Sequence, residues 1–347
     1  MPSVTNARVI FNDIPTGYPE PGKTTVYDES TTIDLDAVPL NGGVLVKTLF
    51  LSVDPFLRGM MRDPGIDSYS PAFKIGEPIY GYGVARVLRS EIAGVEAGSY
   101  VEGIISFQQY NILPNLAPDA FHIIDKKHKV PLSYYLGALG MPGKTAFMGW
   151  RKFSQAKEGE TAFVTTGAGP VGSFVIQLAK LAGLKVIASA GSEDKVAFMR
   201  SVGADVAFNY KTTNTLEILR KEGPIDVYWD HVGGETLDAA LETARVGGRF
   251  IECGMITQYN NPGPETFKNI VNIMTKSLSV HGFIVLRELD DKLREEFYNV
   301  VPELVSSGNI QYREEIHDGL ESAGNVFLAV QKGLNKAKAV IRVAEDV

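Results

Sequence analysis

Two textures of apolar and polar positions divide the chain. Over residues 1–131 the apolar runs are short and bounded by Gly, Pro and Asp, as in VLVKTLFLSV at 44–53, GVARVL at 83–88 and SYVEGIISF at 99–107. Brief runs between turn formers predict strands, so this portion is expected to be mostly β. After Gly140 apolar runs of four to seven residues alternate with amphipathic stretches of helical length, the pattern of repeated βα units. Six strands are predicted, at 161–165, 185–190, 206–210, 225–229, 249–253 and 280–285, with helices at 170–181, 193–202, 215–222, 235–244 and 269–276. Each helix is long enough for one crossover between parallel strands, so the expected product is an α/β fold with a doubly wound, six-stranded parallel Rossmann sheet. A helix near 323–333 and the strand AVIRV at 339–343 follow, and the pattern alone assigns them to neither portion.

Length and composition narrow this further. At ~150 residues per domain, 347 residues predict about two domains. With 44% hydrophobic and 22% charged residues, wholesale disorder is excluded and sizeable cores are possible. The 34 basic and 41 acidic residues leave a net charge of −7, the wrong sign for a broad surface that binds nucleic acid or anionic lipid. Any phosphate must therefore sit in a local pocket. Cys253 is the single cysteine, so an intrachain disulfide or a cysteine-based zinc cluster is ruled out and a reducing, cytoplasmic setting is expected. The start MPSVTNARVIFND lacks a basic stretch followed by an apolar one, and the longest apolar stretch, near 175–190, is broken by Lys180 and Lys185. Neither a signal peptide nor a membrane span is expected.

The first strand of the α/β portion runs into Gly167-Ala168-Gly169-Pro170-Val171-Gly172, which opens a helix, so G-x-G-x-x-G stands in the strand–turn–helix setting its mechanics need. Gly167 suits a tight turn, Gly169 lets backbone approach a pyrophosphate, and Gly172 lets helix and strand pack closely. The helix N-terminus adds N–H groups and partial positive charge. Where NAD-selective sites carry Asp or Glu at the end of the second strand, this chain has Ala188-Ser189-Ala190-Gly191, followed by Ser192 and Lys195. A small uncharged strand end with a nearby cation favours a 2′-phosphate, hence NADP(H). Glu193 and Asp194 are the opposing feature, since either carboxylate suits a ribose hydroxyl.

Several blocks in order resemble one family: VDPFLRGMM at 53–61, YGYGVARV at 80–87, LGMPGKTAFMGW at 139–150, TTGAGPVGS at 165–173, AGSEDK at 190–195, FNYK at 208–211, DHVGGE at 230–235 and CGMITQYN at 253–260. Over nearly its whole length the chain is similar to the zinc-independent branch of medium-chain dehydrogenases/reductases, which includes leukotriene and prostaglandin reductases, alkenal double-bond reductases and bacterial curcumin reductase. The resemblance implies a catalytic domain of residues 1–133 and 306–347, a mostly β, partly opened GroES-like barrel, with an NADP(H)-binding Rossmann domain of residues 134–305 inserted between. It also implies a homodimer and NADPH-dependent reduction of a carbon–carbon double bond conjugated to a carbonyl. By the same resemblance Lys195 and Tyr210 contact the 2′-phosphate end, Asn335 lies near the phosphates and nicotinamide, and Tyr259 faces the substrate. Two positions depart from the family: Phe56 stands where tyrosine is common, and His231 where asparagine is frequent.

Enone reduction needs hydride at the β-carbon, a donor for the carbonyl oxygen and a proton for the α-carbon. Tyr259 is the leading candidate donor. A wall role for its ring, with the cofactor ribose hydroxyl as donor, is the alternative. Tyr80 and Tyr82, with Phe56, are candidate pocket residues. His122, His128, His231, His281 and His317 are scattered and form no metal-ligand spacing, so no metal is expected. Cys253 is expected to be a small buried hydrophobe. An enal/enone reductase is the favoured function, with a quinone reductase and a non-catalytic NADPH-binding protein as alternatives.

Overall fold

The computed structural model describes residues 3–117, 120–125 and 127–346. The chain forms two compact units, one of residues 137–313 and one of residues 1–136 with 314–347.

In the 137–313 unit six strands form one parallel sheet: β1 (Thr161–Val164), β2 (Lys185–Ala190), β3 (Val206–Asn209), β4 (Ile225–Asp230), β5 (Ala244–Glu252) and β6 (Ser279–Gly282). Their order is β3-β2-β1-β4-β5-β6, with every neighbouring pair parallel. The order reverses at β1, which creates the crevice at the carboxyl ends of β1 and β4 where doubly wound folds take ligands. β1 and β4 are buried at every position, which explains their mostly apolar texture, with Asp226 and Asp230 as the charged residues of β4. Across β1, β4 and β5, Phe163 stacks on Tyr228 with ring centroids 5.4 Å apart, and Tyr228 meets Phe250 edge-on at 5.2 Å. The helices are α1 (Met141–Phe153), α2 (Pro170–Leu181), α3 (Glu193–Ser201), α4 (Thr215–Glu222), α5 (Gly234–Thr243) and α6 (Asp291–Ser306), with shorter helical turns between β5 and α6.

Four segments differ from the pattern expected, the first being the helix expected at 269–276, which is a single turn at Asn272–Thr275. β5 begins at Ala244 rather than at Arg249, because the Arg245–Gly248 stretch bulges and Gly247 takes φ +80°. β6 ends at Gly282, and the apolar residues after it leave the sheet, where Phe283 packs edge-on against Trp229. The 16-residue α6 falls where no helix was expected. Its N-terminus is capped by Asp290, whose side chain accepts from Leu293 N, and it buries Phe297, Val301 and Val305 at i, i+4 and i+8 despite an internal Pro302.

The other unit is built on a seven-stranded, mostly antiparallel sheet in the order 314–318, 338–342, 44–52, 80–90, 100–106 and 121–123, with 110–113 pairing to one end of 44–52. Its outer strands, Glu314–Asp318 and Phe121–Ile123, pair with no further strand among the described residues, so the sheet is curved open rather than closed into a barrel. The C-terminal helix Ala323–Gln331 and strand Lys338–Arg342 belong to this unit. The strand lies antiparallel against Val44–Ser52, and Val326, Phe327 and Val330 enter the core beside Leu57, Phe73 and Phe107.

Candidate functional site

At the end of β1 the chain turns through Thr166, which itself takes the left-handed φ of +45°. The strained position is therefore a threonine, and the glycines answer to space. A Cβ at Gly172 would stand 2.5 Å from the Thr166 carbonyl oxygen, and one at Gly167 would stand 2.7 Å from Met199 Sδ and 3.0 Å from Ala188 Cβ. Gly167 excludes a side chain because the turn packs onto β2 and α3, and Gly172 because α2 packs onto the turn itself. Gly169 differs: its Cβ would meet only the Thr166 carbonyl oxygen, at 3.2 Å, and is otherwise in the open. Gly169 is the N-cap of α2, Pro170 occupies the first helical turn, Val171 follows it, and that turn carries no acid. The start of α2 thus offers N–H groups that lack intrahelical partners beside the open face of Gly169.

A second group gathers at the ends of β2 and β3, where Ala190 and Asn209 are opposite in register. Ser192 caps α3 without a side-chain capping bond, and Lys195 is half-buried in the first turn of that helix. The exposed Tyr210 folds back so that its hydroxyl lies 2.9 Å from where a Cβ of Gly191 would stand, with Lys211 Cε at 3.2 Å. Glu193, one of the two opposing carboxylates, accepts a hydrogen bond of 3.0 Å from Asn209 Nδ2. Lys211 joins this group without having been singled out in the sequence, although it stands in the FNYK block. Only the pairing of β2 with β3 brings it opposite Gly191.

His231 has a structural duty. Its backbone N–H donates to Thr165 Oγ1 at 2.8 Å, its Nδ1–H donates to the Thr165 carbonyl at 2.8 Å, and its Nε2 accepts from Trp229 Nε1 at 3.0 Å. Indole N–H is a donor only, which fixes this tautomer. Burial pushes the imidazole down to about 4, so the ring is a neutral staple between β1 and β4 rather than an acid. Cys253 is half-buried, and the desolvation of its thiol, followed by the neighbouring Asp230 and Glu252, pushes it up to about 12, so little thiolate is present at neutral pH.

The loop that carries Tyr259 hangs from the β4–α5 turn. Cys253 N and Gly254 N donate to the Asp230 carbonyl, Ile256 N to the His231 carbonyl, and Thr257 Oγ1 to the Val232 carbonyl at 2.8 Å. Tyr259 sits half-buried in the helical turn Thr257–Asn260, its hydroxyl 3.2 Å from where a Cβ of Gly254 would stand. The glycine therefore leaves room for the phenol to curl back over its own loop.

In the other unit Phe56, Tyr80 and Tyr82 come together. The Phe56 ring meets Tyr82 edge-on at 6.4 Å, and Tyr80, two residues along the same strand face, meets Phe73 edge-on at 5.1 Å. Burial raises the Tyr80 phenol above its ordinary range. Asn335 also belongs to this unit, in the turn before strand Lys338–Arg342, where it donates 2.7 Å to the Ala337 carbonyl. It is thus in a different unit from the glycine turn. Among the described residues no group of three or more His, Cys, Asp or Glu is placed to hold a metal ion.

Comparisons with known proteins are consistent with this architecture. Residues 170–306 match the family described as zinc-binding dehydrogenase, and residues 8–120 match the N-terminal domain of oxidoreductase. The chain is 38% identical to the 2-alkenal reductase (NADP(+)-dependent) of Nicotiana tabacum over 99% of both chains, and 37% identical to the NADP-dependent oxidoreductase RED1 of Cochliobolus heterostrophus over 98% of both. The solved structure of CurA from Vibrio vulnificus in complex with NADPH covers 98% of this chain and 99% of its own, at 32% identity and a TM-score of 0.87. The chain belongs to the medium-chain dehydrogenase/reductase family of oxidoreductases, in the branch of the alkenal and leukotriene reductases.

Proposed function

We propose that this oxidoreductase is an NADPH-dependent 2-alkenal/enone reductase, which adds hydride to the β-carbon and a proton to the α-carbon of an α,β-unsaturated aldehyde or ketone. The observation that carries the reading is its likeness, over 99% of the chain, to a 2-alkenal reductase that is NADP(+)-dependent. The residues fit the cofactor. The open face of Gly169 and the acid-free start of α2 suit a pyrophosphate, and Gly167 and Gly172 set the turn that forms it. Ser192, Lys195 and Tyr210 hold the 2′-phosphate end, with Glu193 engaged by Asn209 instead of a ribose. When bound, NADPH supplies the hydride. Asn335 is assigned to the nicotinamide half by resemblance, Tyr259 donates to the substrate carbonyl, and Phe56, Tyr80 and Tyr82 form an aromatic wall. In this reading residues 134–305 bind the cofactor and residues 1–133 with 306–347 form the catalytic domain of a cytoplasmic enzyme.

The test is turnover with NADPH against a panel of alkenals, cyclic enones and quinones, followed by absorbance of the reduced nicotinamide. Alkenals and enones are expected to turn over fastest. Faster quinones would favour a quinone reductase, and no turnover of any class a binding protein. The chemistry proposed needs no metal, so dialysis against a strong chelator is expected to leave the rate unchanged; a loss restored by zinc would overturn that part. Lys195→Ala is expected to lose ~1.5 to 3 kcal/mol of charge-assisted contact, roughly a 10- to 150-fold weaker NADPH affinity, with NADH affinity little altered. Fluorescence titration reads both, and equal affinity of the wild type for the two cofactors would refute the assignment. The homodimer is supported by the exposed edge of β6, where the exposed Val280 and Ile270 line one recess. A monomer in sedimentation would overturn it.

A further inference from the structure

β4 and β5 place two carboxyl groups side by side. Asp230 and Glu252 are opposite residues in the parallel register, and Tyr228 precedes Asp230 by two positions, so all three side chains share one face of the sheet. Asp230 is fully buried. Both Glu252 carboxyl oxygens and the Tyr228 hydroxyl are sealed from solvent, and the polar group that both face is the Asp230 carboxyl. The surroundings give Glu252 no cation. β4 presents Asp230 and Tyr228, β5 Phe250, β6 Gly282 opposite Glu252, and α5 Leu237 and Leu241. The segment after β5 adds Glu265 and apolar side chains to the same recess.

Two adjacent buried carboxyl groups without a cation cannot both ionise. The backbone decides which one keeps the proton. Asp230 Oδ1 accepts from Val232 N at 2.7 Å and Gly233 N at 3.1 Å, bonds that favour its ionised form, whereas Glu252 receives none. Burial first, and then Asp230, push Glu252 up to about 9. The same Asp230 carries, on its carbonyl, the N–H groups of Cys253 and Gly254 that start the Tyr259 loop.

We propose that Glu252 is a positioning residue: as the neutral acid it shares its proton with the Asp230 carboxylate, and this pair holds the 253–260 loop, and Tyr259 with it, in place for reaction. Loss of that proton puts two like charges in one buried site and releases the loop. The inference rests on the role given to Tyr259 above, so its test has one arm that needs turnover and two that do not.

In the first arm, kcat of the wild type is expected to fall roughly tenfold between pH 7 and pH 10, as one ionisation near 9 requires. In Glu252→Gln, whose amide can donate to Asp230 but has no proton to lose, the profile is expected to be flat over that range. An alkaline limb kept by Glu252→Gln belongs to another group, Tyr259 included, and overturns the proposal. The second arm uses Cys253, the single cysteine, as a reporter, labelled with a thiol reagent at pH 9.5. If Glu252 holds the loop, Glu252→Gln is expected to label at least several-fold more slowly than the wild type. If Glu252 were only a neighbouring negative charge, its removal would ease thiol ionisation and speed labelling, and that outcome overturns the proposal even if no enone is turned over. The third arm is thermal stability. A Glu held at about 9 in the folded state and ordinary when unfolded makes the unfolded chain bind fewer protons between those values, so stability falls as pH rises through that window. The wild-type midpoint is expected to drop between pH 6 and 9 more steeply than that of Glu252→Gln, and parallel curves overturn the proposal.

Discussion

Tyr259→Phe is expected to lower kcat by roughly 10²- to 10³-fold while leaving NADPH affinity almost unchanged, the signature of a donor that acts only as charge develops on the substrate oxygen. Such a donor typically contributes ~2.7 to 4 kcal/mol to the transition state when nothing replaces it. The phenols outside this loop are poorly suited to replace it. Tyr82 is 8% exposed and Tyr80 is packed edge-on against Phe73. Phe56, where the family often has tyrosine, carries no hydroxyl at all. Tyr259, in contrast, rides on a loop anchored at the Asp230, His231 and Val232 carbonyls, and its ring packing survives loss of the hydroxyl. A fall of less than about tenfold would assign the role to the cofactor ribose or a water and leave Tyr259 as wall. Phe56→Tyr read in the same assay is expected to change little, and a gain there would show that the natural site lacks a donor it can use. Gly254 offers a third handle. A methyl group there would stand 3.2 Å from the Tyr259 hydroxyl and crowd it without removing it.

Most of the α/β sheet was legible because burial on both faces writes strands as apolar runs, and because G-x-G-x-x-G has its meaning in a local strand–turn–helix. Features that depend on partners distant in sequence were not. Asp230 and Glu252 are 22 positions apart, and only the register of β4 against β5 makes them neighbours. Lys211 reaches Gly191 for the same reason, through β3 against β2. His231 read as a departure from a family pattern, whereas its ring bonds show a staple whose partners, Thr165 and Trp229, no spacing rule connects to it. α6 was hidden by its composition: charged residues fill its first turns and Pro302 interrupts the last, so the stripe of Phe297, Val301 and Val305 shows only once a core lies beneath it. The apolar run predicts a longer β6 because Phe283-Ile284-Val285 continues it after the chain has left the sheet.

The second large effect is expected on stability, at a buried ion pair that ties the C-terminal strand to the segment bearing Phe56. Lys338 and Asp54 have side chains only 2% and 4% exposed, with Nζ 2.7 Å from Oδ1. Lys338 Nζ also donates to the Val53 carbonyl, and Ser52 Oγ donates to the other Asp54 oxygen. Pro55, between Asp54 and Phe56, accepts through its carbonyl from Gln331 Nε2 at 3.0 Å, so two side chains from the C-terminal tail hold three consecutive residues. Lys338→Met keeps the volume of the stem but leaves Asp54 as a buried charge with one hydroxyl for company. Removing one partner of such a pair costs about 3 to 5 kcal/mol, a large share of the ~5 to 15 kcal/mol that holds a domain folded. Denaturant unfolding of the 1–136/314–347 unit, followed by a probe confined to it, is expected to show that loss. The double variant Lys338→Met/Asp54→Leu is expected to recover most of it, because the cost lies in the orphaned carboxylate and apolar replacement of both partners is often neutral. A single-variant loss below about 1 kcal/mol would mean that water reaches Asp54 and that the pair is not a buried anchor. Since Asp54 fixes the backbone that presents Phe56, Lys338→Met is also expected to raise KM for the enone more than it lowers kcat.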